Sequence, residues 1–420
     1  MTDEHSQRTI NAQCAIAGGG PAGVMLGFLL ARAGVKVVVL EKHTDFFRDF
    51  RGDTIHPSTL EVMHELGLLD AFLKLPHQTL SHVGADIGGN TVQVADFSHL
   101  PVAAPFIAMM PQWDFLDFLA AQGKNYPTFD LRMGTDVDEL LSEDGKVVGL
   151  KAATREGDLE VRADLVVGTD GRHSTVRSLA RLEVDDIGAP MDVLWMRISR
   201  NPEDGNDSLG RIEPGRFFIT INRGDYWQCA FVIPKGGFND IRRKGLEAFR
   251  QDILALKPSL AVRVRELESW DDVKLLSVRV DRLKKWHRPG LLCIGDAAHA
   301  MSPIGGVGVN LAVQDAVAAA NILAVPLLER HLSEADLARV QKRRIRPVKL
   351  TQKLQVFVQN RVISNVLAAS EISDVPLVIR MLNAVPWLQR IPGRLIGLGF
   401  QPEHVELPEM QRPQTTASAA

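Results

Sequence analysis

A glycine-rich turn close to the amino terminus constrains the fold more than any other feature of the sequence. Gly18, Gly20 and Gly23 follow an apolar segment, residues 13–17, with the spacing G-x-G-x-x-G. Glycine at these positions permits a tight turn, lets the backbone approach a pyrophosphate, and lets the next helix pack closely on the strand. The amino terminus of that helix offers unpaired N–H groups to the phosphates.

The residues after the turn complete a β-turn-α-β unit. Residues 24–33 have the pattern of a helix that Gly34 ends, and residues 35–40 read as a buried strand. Parallel strands joined by a helix belong to a doubly wound sheet. Glu41 closes the second strand close to the offset expected for a carboxylate that binds a ribose hydroxyl. The sequence therefore predicts a dinucleotide site, although this motif does not distinguish FAD from NAD.

The pattern changes to that of an antiparallel sheet in the middle of the chain. Residues 192–199, 216–222 and 226–233 are rich in aliphatic and aromatic side chains, and residues 222–225 supply a turn between the last two. Helical spacing precedes this region at 59–69 and at 112–121.

Two other buried strands, at 159–167 and 290–294, each run into a short polar segment. The first segment is Gly168-Thr169-Asp170-Gly171-Arg172-His173-Ser174-Thr175-Val176-Arg177. The second is Gly295-Asp296-Ala297-Ala298-His299, with Pro303, Gly305, Gly308, Val309 and Asn310 beyond it and an apolar helix over 308–323. A carboxylate directly after a buried strand is placed to accept a sugar hydroxyl at the carboxyl edge of a parallel sheet.

With the glycine-rich turn, these two segments make the chain resemble the class A flavoprotein monooxygenases, the family of para-hydroxybenzoate hydroxylase, over about residues 15–323. The resemblance implies an α/β fold with a doubly wound, Rossmann-like FAD-binding domain, an inserted and mostly antiparallel substrate sheet, and carboxyl-terminal helices. The FAD-binding domain would comprise residues 1–80, 109–185 and 275–325. The substrate domain would comprise 81–108 and 186–274, and helices with a disordered tail would follow over 326–420.

The resemblance also implies site residues, position by position. The residues expected to contact FAD are Gly18, Gly20, Ala22, Gly23, Glu41, Lys42, Arg51, Gln112, Asp170, Asp296, Gly308, Val309 and Asn310. Pro303 is expected to face the reacting edge of the flavin. Arg51 as an ordinary surface arginine, and Gln112 as simply the first residue of a helix, remain alternatives.

The reaction implied is an aromatic hydroxylation. In the family NAD(P)H reduces the flavin, O₂ adds at C4a, and the hydroperoxide transfers one oxygen atom to an electron-rich ring. No second G-x-G-x-x-G unit occurs in the sequence, so transient docking of the nicotinamide beside the flavin is implied. His56 is the candidate for relaying a phenolic proton, and a loop histidine bonded to the backbone is the alternative.

The predicted substrate sheet indicates a hydrophobic or aromatic small molecule. Its large side chains are Trp195, Met196, Phe217, Phe218, Trp227 and Phe231. Because successive side chains of a strand point to opposite faces, we expect about half of them to line the cavity and half to pack in the core.

Composition limits the partners and the location of the protein. Lys and Arg (48) nearly balance Asp and Glu (51), so no basic excess favours nucleic acid. Cys14, Cys229 and Cys293 lack metal-ligand spacing, and no metal is expected. Because no uninterrupted apolar run reaches about 20 residues, we expect no transmembrane segment. Residues 1–13 show no export signal, so we expect a cytoplasmic protein, either monomer or homodimer.

The last quarter of the chain is predicted to be helical. The cluster Lys342-Arg343-Arg344 is expected on a solvent-exposed helix face. Residues 381–400, interrupted by Pro386 and Pro392, are expected to form a lid or a dimer contact. The last ten or so residues are expected to be disordered.

Two other functions fit the same fold. A flavin-dependent halogenase is one, but the sequence lacks a Trp-x-Trp-x-Ile-Pro segment. A non-catalytic flavoprotein that binds and protects a reactive intermediate is the other, because a fold alone does not define a function.

Overall fold

The computed structural model describes residues 8–47, 54–204, 209–368, 377–407 and 409. Arg51 and the last ten residues, for which predictions were made, lie outside the described residues. Within them the chain forms twenty β-strands and twelve α-helices. The strands are β1 (Arg8–Ala17), β2 (Val37–Glu41), β3 (Thr54–Ile55), β4 (Gln78–Leu80), β5 (His82–Ile87), β6 (Asn90–Asp96), β7 (Ile107–Met109), β8 (Phe129–Met133), β9 (Asp136–Glu143), β10 (Lys146–Thr154), β11 (Gly157–Gly168), β12 (Val184–Asp186), β13 (Met191–Ser199), β14 (Leu209–Glu213), β15 (Arg216–Asn222), β16 (Tyr226–Pro234), β17 (Lys274–Leu276), β18 (Asp281–Leu283), β19 (His287–Arg288) and β20 (Leu291–Cys293). The helices are α1 (Pro21–Arg32), α2 (Pro57–Glu65), α3 (Leu69–Phe72), α4 (Gln112–Gly123), α5 (Thr175–Leu179), α6 (Phe238–Lys244), α7 (Leu246–Leu256), α8 (Gly308–Leu328), α9 (Glu334–Val358), α10 (Ser364–Ala368), α11 (Leu377–Ala384) and α12 (Arg390–Gly397).

A mixed sheet with a parallel centre carries the glycine-rich turn. Its order is β19-β20-β11-β1-β2-β8, and β9 and β10 are attached through β11. The pairs β1·β2, β1·β11, β2·β8 and β11·β20 are all parallel. The chain runs from β1 to β2 and β8 on one side, and later to β11 and β20 on the other. Strand order therefore reverses at β1, where open α/β sheets bind their ligands.

The helices around this sheet differ from the predicted ones mainly at their ends. The helix expected over residues 59–69 stops at Glu65, because Gly67 adopts a positive φ of 69° and the chain restarts as α3. α8 runs five residues beyond its expected end at residue 323. It lies against both α1 and α9 and forms the centre of the helical layer.

α8 is the most apolar long helix among the described residues, and its apolar side chains are mostly buried. Among the described residues, one helical stretch, Ile304–Leu328, is long and apolar enough to cross a membrane by length and composition. Most of that stretch is buried inside the folded chain. The core helix of a folded domain can be equally long and apolar. α8 packs against α1 and α9 as such a core helix does.

The second large sheet is almost entirely antiparallel. It has the order β17-β13-β16-β15-β14-β5-β6, and its one parallel pair is β14·β5. A small three-stranded sheet has the order β3-β7-β4, and its strand β3 leads into α2.

The two faces of the antiparallel sheet are covered differently. Met196, Phe218, Trp227 and Phe231 lie on one face and are sealed in a core with Phe249 of α7 and its neighbours. Trp195 and Phe217 lie on the other face, where they pack against the same buried cluster as Ile304, and they stay partly exposed. The expected even division of these six side chains is wrong, because Trp227 and Phe231 are four residues apart in β16 and therefore share the face of Met196 and Phe218. The face that bears Trp195, here called the inner face, is the open one.

Candidate active site

The carboxyl ends of the central parallel strands meet at one edge. Ala17, the last residue of β1, pairs with Gly168 of β11 and with Leu40 of β2, and Gly168 pairs with Cys293 of β20. The segments that follow these strands must therefore begin side by side. This edge brings together the glycine-rich turn, Glu41, the Asp170 segment and the Asp296 segment.

The glycine-rich turn is closed by backbone of the Asp170 segment. Gly18 has φ 108°, and a Cβ there would lie 2.6 Å from the carbonyl carbon of Thr169. A Cβ on Gly23 would lie 1.9 Å from the Gly18 oxygen. Thr169 Oγ1 donates to the carbonyls of Ala17 and Gly18 over 2.9 and 2.7 Å. Residue-type reasoning missed Thr169, although it lies inside one of the two segments that carry the resemblance.

The amino terminus of α1 is available to a phosphate. Its N-cap, Gly20, makes no side-chain capping hydrogen bond, so N–H groups of the first turn lack a partner within the helix. Ala22 is buried in this turn, and a Cβ added to Gly295 would lie 3.0 Å from the Ala22 Cβ. The glycine-rich turn and the Asp296 segment are thus in direct contact.

Glu41 is oriented by backbone groups on both of its carboxylate oxygens. Oε2 accepts from Gly19 N over 2.8 Å, and Oε1 accepts from His43 N over 3.1 Å. These contacts place the carboxylate beside the glycine-rich turn, at the strand end where a ribose hydroxyl is expected to bind. Lys42 follows it on the surface and is exposed.

Asp170 organises its own loop. Its Oδ1 accepts from Ser174 Oγ over 2.5 Å, and its Oδ2 accepts from Val176 N over 3.0 Å, which anchors the start of α5. Burial raises the pKa of Asp170 above its ordinary value, although these hydrogen bonds oppose the effect. The loop that Asp170 holds is the one that closes the glycine-rich turn.

Arg177 ties the Asp170 segment to the Asp296 segment. Its buried guanidinium pairs with Asp281 at 3.4 Å and donates to the carbonyl of Arg172 over 2.5 Å. Arg172 in turn lies 4.0 Å from Asp296, whose side chain is 36% exposed. Asp296 is therefore held at the edge of the sheet with part of its carboxylate accessible to a ligand.

A buried charge network fixes the turn that precedes Asp296. Asp315 of α8 accepts from Gly295 N over 3.0 Å and contacts His299 Nε2 at 2.5 Å. Its other oxygen accepts from Arg344, which also binds Glu403. Burial alone would raise the pKa of Asp315, but His299 and Arg344 bring it below its ordinary value.

This network corrects the prediction for the basic cluster of α9. Arg344 is fully buried, not exposed, because Asp315 and Glu403 neutralise it inside the helical layer. Lys342 and Arg343 are exposed, as predicted, and Arg343 also pairs with Glu403. The sequence around Arg344 does not indicate its partners, because Asp315 and Glu403 are distant in the chain.

The segment with Pro303 is held from the opposite side by α9 and the turn that continues it. Gln355 Nε2 donates to the carbonyls of Ser302 and Ile304 over 2.9 Å each, and Gln359 Nε2 donates to Ser302 Oγ over 2.7 Å. Pro303 lies between these anchors and is partly exposed. α8 then begins at Gly308 without a side-chain cap, so N–H groups of Gly308 and Val309 remain available.

Asn310 joins the start of α8 to the His56 segment. Its Oδ1 accepts from His56 N over 2.9 Å and from Thr59 Oγ1 over 2.7 Å. Its Nδ2 donates to the carbonyl of Gly306 over 3.3 Å. The side chain thus connects two protein segments, which leaves the helix-terminal backbone to meet a ligand.

His56 is wholly buried at the N-cap of α2. Its Nδ1 lies 2.8 Å from the carbonyl of Ile396 in α12, and that contact assigns the proton to Nδ1. Its Nε2 has no hydrogen-bond partner among the described residues. Burial lowers the pKa of His56 to about 4, despite the opposing bond to Ile396.

The remaining predicted residue, Gln112, is the first residue of α4 and partly exposed. It follows Pro111, the N-cap of α4, which lies two residues beyond the end of β7. No group of three or more His, Cys, Asp or Glu side chains suited to a metal ion occurs among the described residues.

The inner face meets the Pro303 segment through apolar side chains. Trp195 and Ile219 belong to the cluster that contains Ile304 and also to a second cluster with Met109 and Ile396. A ligand lying on this face would be bounded by the sheet, by the segment before α8 and by α12. These features define the class: an α/β flavoprotein with a dinucleotide-binding edge and a second, largely antiparallel sheet.

Comparison with known proteins agrees with this class. Residues 11–352 match the family described as FAD binding domain. 6-Methylpretetramide 4-monooxygenase of Streptomyces rimosus is 33% identical over 351 residues, which are 83% of this chain and 84% of that protein. The probable NADH-specific resorcinol 4-hydroxylase of Rhodococcus jostii (strain RHA1) is 26% identical over 312 residues, 72% of this chain, and the match spans 57% of that longer protein.

Solved structures show the same fold. That of p-nitrophenol 4-monooxygenase PnpA from Pseudomonas putida DLL-E4 has a TM-score of 0.74 at 20% identity and covers 92% of this chain and 97% of that one. The chain belongs to the FAD-binding family of class A flavoprotein monooxygenases and is an FAD-dependent monooxygenase.

Proposed function

We propose that the protein uses NAD(P)H and O₂ to hydroxylate the ring of an aromatic, largely apolar small molecule. One observation carries the proposal: the inner face stays partly exposed at Trp195 and Phe217, and it meets Ile304 in the segment that leads into α8. An apolar ring on this face would lie beside the helix terminus at which the flavin ring is expected.

The residues present fit FAD. The Gly18–Gly23 turn and α1 would hold the pyrophosphate, and Glu41 and Asp296 would accept sugar or ribityl hydroxyls. Bound FAD supplies hydride uptake from the nicotinamide and activation of O₂, one atom of which passes to the substrate. The N–H groups at the start of α8 would stabilise negative charge on the reduced ring.

His56 is proposed to accept a hydrogen bond from a substrate hydroxyl. With the proton on Nδ1, the lone pair of Nε2 is the group that can accept it. His56 lies between Asn310 of α8 and Ile396, a member of the apolar cluster on the inner face. Because its pKa is about 4, His56 stays neutral at physiological pH and acts by orientation more than by full proton removal.

A cationic surface next to the Asp170 segment is proposed to attract the diphosphate of the nicotinamide cofactor. His173 lies near Arg279 and Arg172, and its pKa is lowered by partial burial and by these cations. Arg279 and His173 are both exposed. Such a surface favours transient docking of an anion, as a chain without a second dinucleotide-binding unit requires.

Anaerobic stopped-flow reduction of the purified flavoprotein tests this function. NADH and NADPH are each mixed with the enzyme, with and without resorcinol or 4-nitrophenol as probe phenols. We expect reduction by at least one nicotinamide, acceleration by a bound phenol, and a product with one added oxygen under air. If neither NADH nor NADPH reduces the flavin, the proposal is contradicted. A product formed only when halide is added would favour a halogenase.

A further inference from the structure

A groove runs along one side of α9 and the turn that continues it, away from the predicted flavin site. Its volume is about 550 Å³, and it is bordered by Ile187 and Arg282 on one side and by the helix on the other. The helix contributes Lys349, Lys353 and Phe357, which lie on one face at successive turns. We call this feature the α9 groove.

The α9 groove combines positive charge with an exposed aromatic ring. No carboxylate occurs among its described lining residues, whereas Arg282, Lys349 and Lys353 are all cationic. Lys349 and Lys353 are exposed, and neither forms a hydrogen bond or ion pair with another described residue. Phe357 is 61% exposed. Two lysines at i and i+4 repel each other, and a bound anion would relieve that repulsion.

The groove is connected to the flavin side of the molecule by short polar contacts. Arg282 donates to Gln352 Oε1 over 2.6 Å, and Gln352 Nε2 donates to the carbonyls of Asp281 and Ala300. Gln355, three residues along α9, holds the segment that contains Pro303. One helix therefore forms the wall of the groove and supports the edge at which reduction is expected.

We propose that the α9 groove binds the adenosine 2′-phosphate end of NADPH, with the base on Phe357 and the phosphate at Lys349 and Lys353. The inference rests on the proposed function, since it assumes a nicotinamide co-substrate. A flat aromatic base can stack on an exposed ring, and a dianionic phosphate is attracted by clustered ammonium groups. NADH lacks this phosphate, so the groove would favour NADPH.

Calorimetric binding of adenosine 2′,5′-bisphosphate tests the groove without any turnover. The variant Lys349→Gln/Lys353→Gln is compared with Lys244→Gln, which removes an exposed lysine of α6 outside the groove. The double variant should bind this probe about tenfold or more weakly, as expected for the loss of charge-assisted contacts. Binding of 5′-AMP, which lacks the 2′-phosphate, should change far less. Equal affinity of the bisphosphate for the wild type and the double variant would overturn the proposal.

Steady-state kinetics then separate this inference from the proposed function. The double variant should raise KM for NADPH about tenfold or more with little change in kcat, and should leave KM for NADH unchanged. A wild type that uses NADH and NADPH with equal KM would overturn the groove proposal while the hydroxylase function stands. If neither nicotinamide reduces the flavin, the proposed function fails; the calorimetric comparison still decides whether the groove binds a 2′-phosphate.

Discussion

Arg344 on α9 donates a hydrogen bond from Nε to Oδ1 of Asp315 on α8 over 2.9 Å, and both side chains are buried. Asp315 also accepts from Gly295 N, so the pair fixes the turn that presents Asp296. A structural ion pair thereby positions a residue of the predicted cofactor site, although neither member of the pair is expected to touch the cofactor.

Replacing Arg344 by Met should destabilise the protein strongly. The substitution removes the buried cation that Asp315 and Glu403 share and leaves them only His299 and Arg343, and breaking a buried pair costs about 3–5 kcal/mol. Urea unfolding followed by circular dichroism measures the loss. Lys342→Met, on the same helix but exposed, is the control and should change the free energy of unfolding by about 0.5 kcal/mol or less. Equal stability of the two variants would contradict the network described above.

The substitution Asp296→Ala should weaken FAD binding. A charged acceptor that binds a sugar hydroxyl contributes about 1.5–3 kcal/mol, so Kd should rise about tenfold or more. Flavin fluorescence titration of the apoprotein gives the value. The matched control is Asp158→Ala, which removes an exposed carboxylate near the start of β11, far from the ligand edge at the other end of that strand. If Asp296→Ala retains wild-type affinity, the proposed ribose or ribityl role of Asp296 is wrong.

Adding one methyl group at Gly23 should abolish flavin binding. The Cβ of Gly23→Ala would lie 1.9 Å from the Gly18 oxygen and 2.6 Å from Thr169 Oγ1, so the turn and the Asp170 segment must separate. Gly145→Ala serves as the control, because its Cβ meets no atom within 4 Å. Gly145 has a positive φ of 77°, whereas Gly23 is helical, so the control variant tests backbone strain without a steric clash. The ratio of flavin to protein absorbance after purification checks the prediction, and full occupancy in Gly23→Ala would contradict it.

The burial of His56 makes stability depend on pH. Its pKa falls from 6.5 to about 4 on folding, so the unfolded chain binds a proton that the folded chain does not. The contribution of His56 is full above pH 6.5, declines as the pH falls toward 4, and amounts to about 3 kcal/mol over that range. Unfolding free energies at several pH values should therefore fall less steeply between pH 6.5 and 4 for His56→Gln than for the wild type. Parallel curves would show that His56 titrates normally.

The predictable part of the structure consisted of features encoded within a few residues. The glycine spacing at Gly18 to Gly23 and the polar segments after two buried strands indicated the parallel sheet and its ligand edge, because turn geometry and strand burial depend on neighbouring residues. The antiparallel region was likewise visible from its aliphatic and aromatic strands, and β15 has the predicted bounds.

Features that depend on distant partners were not predictable. Arg344 was expected on the surface because its partners, Asp315 and Glu403, lie 29 and 59 residues away. The burial of His56 depends on Ile396, which is 340 residues further along the chain. Which face of the substrate sheet stays open depends on α7, and the pattern of the strands themselves contains no information on that packing.

The most direct test of the central claim is oxygen-isotope incorporation. The purified flavoprotein is supplied with NADPH or NADH, ¹⁸O₂ and a phenol that accelerates flavin reduction, and the product is analysed by mass spectrometry. The proposed hydroxylation predicts one ¹⁸O atom per product molecule and none from labelled water. A product without ¹⁸O, or complete release of the reducing equivalents as hydrogen peroxide for every phenol that accelerates reduction, would contradict it.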